Sequence, residues 1–243
     1  MSRKTQRNRV TPDGQTPLAD KPHQASRISR TGVVVGIVVT LLFAAGAASL
    51  LYQSKGTQPQ DLTAAATQAA LASNHAPTLG DANAKVHVVE FLDPACETCA
   101  QFFPLVKQRM AENPDKIRLS VRHVAFHSGS DYVVRVLEAS RRQDKYWQTL
   151  EALLASQAEW APNHTAQPDL VWPAIAGVGL NVEQLMADMN AAEVTQRMEQ
   201  DRNDAMALKV TATPEYFVNG RPMPSFGEQQ LQDLISEALQ SAY

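Results

Sequence analysis

VVEFLDPACETCAQFFP, running from Val88 to Pro104, holds the only two cysteines of the 243-residue chain, Cys96 and Cys99. The stretch KVHVVEFLD (Lys85 to Asp93) is mostly apolar and bounded by polar residues, the pattern of a buried strand. After Asp93-Pro94 the period changes. Phe102, Phe103, Leu105, Val106 and Met110 recur at helical spacing, Pro104 inside the run suggests a kink, and Glu112-Asn113-Pro114 ends it. The cysteines thus fall where a strand gives way to a helix. Such a pair can be a redox centre, half a metal site or a local staple, and the rest of the chain must discriminate.

Compartment comes first. Apolar residues make up 44% and charged residues 19%, ordinary values for a folded protein, and a net charge of -3 gives no global argument for a nucleic-acid partner. Residues 1–31 read as a disordered basic cytoplasmic tail: Arg3, Lys4, Arg7, Arg9, Lys21, Arg27 and Arg30 face only Asp13 and Asp20. Residues 32–52 carry no charge, and as a helix they would rise about 31 Å, enough to cross a bilayer core. The basic excess before this segment, against Lys55 alone in the stretch after it, favours a single-pass inner-membrane anchor with a cytoplasmic amino terminus. A cleaved signal peptide, with Ala45-Gly46-Ala47 as the cleavage site, is the rival. Either reading exports the remainder, to a periplasmic or extracellular compartment where disulfides persist.

Residues 53–78 are polar and then Ala-rich, a linker or stalk in which LTAAATQAALA has helical propensity but no deep apolar face. Residues 79–243 carry the folded domain. Beyond the cysteine helix, residues 116–124 return to a strand pattern with Ile117, Leu119 and Val121 alternating. A long helical stretch follows, about residues 128–209, in segments at 128–157, 170–175, 181–190 and 191–206. VTATPEYFVNGRPM then reads as loop, short strand from Tyr216 to Val218, Asn-Gly turn and edge strand, and an amphipathic helix with Leu231, Leu234, Ile235 and Leu239 closes the chain. This order predicts an α/β domain: a small sheet with an all-helical subdomain inserted in it.

A structural zinc site needs four ligands, and this pair supplies two. His75, His87, His123, His127 and His164 are available, and His123 and His127 stand four apart, but they lie too far from the cysteine pair to complete a zinc-finger pattern with it, and no metal or other cofactor is implied. Transient soft-metal binding by the reduced pair stays open. A passive staple gains little, because so short a loop has little closure entropy to remove. Reactivity suits the position better. Near the first turn of a helix, free amides and the dipole stabilise a Cys96 thiolate, and Cys99 one turn on can resolve a mixed disulfide. Glu97, beside Cys96, opposes ionisation of the thiol, and Thr98 completes the pair between the cysteines.

With VVEFLDPACETC at one end, some eighty helical residues between, and VTATPEYFVNG near the other, the chain resembles the DsbA-like branch of the thioredoxin superfamily across residues 85–243. The resemblance implies a thioredoxin-like fold and thiol–disulfide exchange. It makes Cys96 the exposed nucleophile and Cys99 the buried resolving thiol. It makes Thr213-Pro214 a cis peptide opposite them, with the Thr213 backbone offered to a substrate chain. Glu90 matches an acidic residue under the active site of several relatives, where it would carry a proton to or from Cys99; an outward-facing strand carboxylate is its plain alternative. Glu97 and Thr98, expected with Thr213 and Pro214 to contact substrate, stand where many relatives have Pro or His, which leaves the favoured direction open. The implied partners are cysteine-containing exported proteins and a redox protein that recycles the pair, and the catalytic unit is expected to be monomeric. The alternatives are a specialised reductase, a metal-stress or cytochrome-maturation thiol protein, and a non-enzymatic soft-metal module on the same fold.

Overall fold

The computed structural model describes residues 59–243. The expected basic tail (1–31) and apolar segment (32–52) lie outside the described residues, as does the start of the linker. Among the described residues no helix is long and apolar enough to cross a membrane.

The centre of the domain is a strand–helix–strand unit. β2 (Val86–Leu92) is buried along nearly its whole length and pairs in parallel with β3 (Ile117–His123), with α2 (Glu97–Glu112) as the crossover. The remaining strands are short: β1 (Thr78–Leu79) lies antiparallel to β3, and β4 (Glu215–Val218) lies antiparallel to β2 and turns into β5 (Arg221–Pro222). The order across the sheet is β1-β3-β2-β4-β5. Asn219 and Gly220, both at positive φ, make the β4–β5 turn that the Asn-Gly pair predicts.

Strand alternation divides the core in two. Val88 and Leu92 of β2, with Ile117, Leu119 and Val121 of β3, join the larger cluster, which includes Cys96, Cys99 and Val106 of α2 and Leu231, Leu234 and Ile235 of the last helix, α9 (Glu228–Ala242). Val89 and Phe91 of β2 point the other way, to Leu71, Val124, Ala205, Val210 and Phe217. Helix α2 buries Cys99, Phe102, Phe103 and Val106, one stripe at helical spacing, and carries Pro104 within a continuous helix.

Between β3 and β4 the chain is helical throughout: α3 (Ser130–Ser140), α4 (Tyr146–Ala155), α5 (Gln157–Trp160), α6 (Pro168–Ile175), α7 (Val182–Asp188) and α8 (Ala192–Ala207). The expected thioredoxin-like fold with its helical insertion is present. The periodic run expected at 128–157 is broken by a tight turn at Arg141–Gln143, where Asp144 takes a left-handed conformation.

The segment read as a stalk differs. Its residues Pro59–Leu71 form a helix, α1, whose end is docked on the sheet, with Ala70 and Leu71 buried. Its apolar face is shallow because most of it is alanine, so Leu71, packed in the second core layer, is helped by polar contacts. The fully buried Arg122 donates to the Ala70 carbonyl at 2.9 Å, a cation at a helix carboxyl end. The same guanidinium pairs with Asp201 and, at 2.5 Å, with Asp204, both on α8. His75 bonds Asp201 at 2.6 Å, tying the segment after α1 into the same network.

Candidate active site

Cys96 is the N-cap of α2, in extended conformation, and Glu97, Thr98 and Cys99 are the first three helical residues. The loop before it is pinned by one buried carboxylate, Asp93. Its Oδ1 accepts from the Ala95 amide at 2.8 Å, an Asx turn. Its Oδ2 accepts from the Phe126 and His127 amides at 2.7 and 2.8 Å and meets His127 Nδ1 at 2.9 Å. Gln157 of the helical insertion donates to the carbonyls of Pro94 and Cys96 at 2.7 and 2.8 Å. The sulfur is therefore held between the sheet end, the β3–α3 loop and the insertion.

Opposite it stands the loop before β4. The Thr213-Pro214 peptide is cis, and the Cys96 thiol donates to the Thr213 carbonyl at 3.2 Å. Residues 117 positions apart in sequence thus meet at the sulfur. The Cys96 thiol is pulled down to about 5. The largest cause is the hydrogen bond from the Cys99 thiol, against which burial acts; the Thr213 side chain, as distinct from its carbonyl, and then the amides of Cys99 and Thr98 at the helix start also favour the thiolate. Cys99 is fully buried and its thiol is pushed well up, first by burial and then by its bond to Cys96. The two sulfurs, identical in sequence terms, are electrostatically opposite. Both are free thiols and both are buried: Cys96, expected as the exposed nucleophile, is only 4% exposed, sheltered beside half-buried Thr98 and Thr213.

Glu90 completes the arrangement. Alternation along β2 sends it to the same side as Val88 and Leu92, the side of Cys99. It is fully buried, which removes the outward-facing alternative. Tyr216 donates to its Oε1 at 2.9 Å, while Oε2 has no protein partner. Burial raises its carboxyl to about 8, with the Tyr216 bond working against that rise. Glu97 is exposed and Thr98 half-buried at the rim, so neither is part of the buried machinery. Phe102 stacks against the buried Tyr216 and meets the exposed Phe226 in a tilted contact at 4.8 Å, while Phe91 lies in the other core layer.

Asp93, His127 and Gln157 had no assigned place in the site from sequence, and Tyr216, expected to pack under the proline loop, was not foreseen as the partner of Glu90. The Asp-Pro step signalled a turn for Asp93, but its partners at Phe126 and His127 lie some thirty residues on, and no local pattern marks them. Among the described residues, no group of three or more His, Cys, Asp and Glu side chains is gathered to hold a metal ion.

Fold and site together are those of a thiol–disulfide oxidoreductase class. A thioredoxin family profile matches residues 72–237, and the chain belongs to that family. A thioredoxin-like oxidoreductase from Silicibacter pomeroyi is 32% identical, with a TM-score of 0.62 over 72% of this chain and 98% of that one. BdbD from Bacillus subtilis, at 22% identity, shares the fold with a TM-score of 0.60, covering 68% of this chain and 94% of that one. The probable disulfide bond formation protein D of Bacillus cereus is 25% identical over 205 residues, 81% of this chain and 90% of that protein. A Na(+)/H(+) antiporter NhaA from Herminiimonas arsenicoxydans is 28% identical over 159 residues, 65% of this chain. The match spans only 25% of the antiporter's length.

Proposed function

We propose that this protein is a membrane-tethered, exported thiol–disulfide oxidoreductase that oxidises cysteine pairs of other exported proteins. The observation that carries the reading is the pairing of Cys96, lowered to about 5 and bonded to the Thr213 carbonyl, with a buried Cys99 held as a thiol.

In the oxidising direction a substrate thiolate attacks Cys96 of the Cys96–Cys99 disulfide, and Cys99 leaves with the electron pair. A thiolate at Cys99 is unfavourable in its buried setting, and Glu90, protonated up to about 8, supplies the proton. The substrate's second thiolate then attacks its own sulfur in the mixed disulfide. Cys96 departs as a stabilised thiolate, and the substrate leaves with a new disulfide. The Thr213 carbonyl is positioned to take an amide of the substrate chain once the Cys96 thiol no longer occupies it. A second redox protein must then withdraw the two electrons. The low Cys96 value supports the oxidising direction, because a good leaving thiolate makes a weakly held disulfide. The tether through residues 32–52 rests on the uncharged apolar run and its basic flank.

The test is exchange by the full-length protein in a non-ionic detergent. Cys96→Ser should abolish oxidation of a reduced peptide, and Cys99→Ser should accumulate mixed disulfides. Exchange undiminished in Cys96→Ser, or none in a folded native protein, would sink the reading.

A further inference from the structure

A polar cavity of about 420 Å³ opens on the sheet face away from Cys99. Its floor is the outward row of the central strands, His87 and Val89 of β2 with Arg118 and Ser120 of β3. The end of α1 walls it and Asn219-Gly220 forms its rim. The Gln68 side chain of α1 reaches over Gly220, where its Nε2 would lie 2.4 Å from an added Cβ.

Two arginines share the outward row of β3, and they are treated differently. Arg122 is closed by Asp201, Asp204 and the Ala70 carbonyl. Arg118 makes no ion pair or hydrogen bond among the described residues, and its Nε is buried without a partner. Among the described residues no carboxylate lines the cavity. Instead a chain of neutral groups runs beside the guanidinium: Thr78 Oγ1 to Ser120 Oγ at 2.7 Å, and Ser120 Oγ to His87 Nε2 at 2.8 Å. Asn219 Oδ1 accepts from the His87 amide at 2.8 Å, which leaves the Asn219 NH2 group to donate. Thr78 Oγ1 also donates to the Ala76 carbonyl at 3.3 Å, so its one proton is spent within the protein, while Ser120 can turn its own outward when Thr78 or His87 donates to it. A guanidinium edge with no counter-charge among the described residues, beside the Ser120 hydroxyl and the Asn219 amide, fits the planar or tetrahedral oxygens of an anion.

We propose that this cavity binds a small oxyanion, a carboxylate or phosphate-type group, on Arg118, with Ser120 and Asn219 as its neutral partners. The volume leaves room for an organic group attached to the anion. His87 reports occupancy: burial, and then the Arg118 charge, lower its pKa to about 4, and an anion offsetting that charge raises it.

The test titrates full-length protein in non-ionic detergent with phosphate, sulfate or acetate, at ionic strength fixed with sodium chloride. The readout is the His87 ring signal by NMR, assigned by its loss in His87→Gln. A saturable shift with a raised His87 midpoint supports the site; saturation by phosphate or sulfate alone assigns a tetrahedral ligand, and by acetate alone a carboxylate. Arg118→Gln should weaken saturation at least tenfold, with thiol exchange within twofold of native, and Arg118→Lys should recover only part. Should Arg118→Gln not fold, Ser120→Ala carries the test with a several-fold loss. A linear drift common to all three salts, or saturation unchanged in the variant that folds, overturns the proposal.

Discussion

Raising the pH from 5 to 8 should stabilise the reduced protein against urea relative to the oxidised protein, which has no Cys96 thiol to ionise. The folded thiol sits at about 5 and the unfolded one at 9.0. For a group whose pKa is depressed on folding, the contribution is complete above the unfolded value and lost as pH falls through the folded one. Between the two, the unfolded chain binds one more proton, and stability rises by about 1.4 kcal/mol per pH unit. At pH 7 that is roughly 2.7 kcal/mol. Exposed Glu97 and half-buried Thr98 and Thr213 surround the sulfur at the mouth of the site, so solvent screening trims the figure to about 2 kcal/mol. Because the disulfide form lacks this gain, the same free energy shifts the couple by about 40 mV toward the oxidising end. Paired urea unfolding curves at several pH values measure the gap, and thiolate absorbance measures the midpoint. A midpoint near 9, or a gap that stays flat between pH 5 and 8, would refute the reasoning.

Two further outcomes follow from buried charges. Glu90→Gln should slow mixed-disulfide turnover on the order of tenfold and flatten the limb of the pH–rate profile near pH 8. Since a carboxyl raised on folding costs stability as pH rises from its unfolded value, 4.5, toward 8, the same variant should also lose less stability across that window by urea unfolding. Asp201→Asn should destabilise the protein by about 3 kcal/mol, because it strips a buried guanidinium of a counter-charge, and a fall in Tm with exchange chemistry intact would register it.

The sequence carried the central features wherever they were local. KVHVVEFLD, the shift of period at Asp93-Pro94 and the Asn219-Gly220 turn correspond to β2, the start of α2 and the β4–β5 turn because each is written in a few adjacent residues. The opposition of Cys96 to Thr213-Pro214 came from the family resemblance, since no spacing rule joins residues so far apart. What escaped was long-range and polar. The Asp93 carboxylate reaching the Phe126 and His127 amides and the docking of α1 through Arg122 depend on which buried charges find each other after collapse. β1 escaped because two residues are too few to show a period.

The docked α1 redraws where this domain can be cut. Residue 79, where the sequence pattern starts the folded part, is an unsafe place for a truncation. Removing everything before it would delete Leu71, Ala70 and His75 and leave Arg122 facing solvent from the sheet, beside the uncovered rings of Phe91 and Phe217. A fragment begun there would keep both cysteines and still present a sticky flank, and its precipitation could be mistaken for a failed active site. An expression boundary upstream of Pro59 keeps that flank covered.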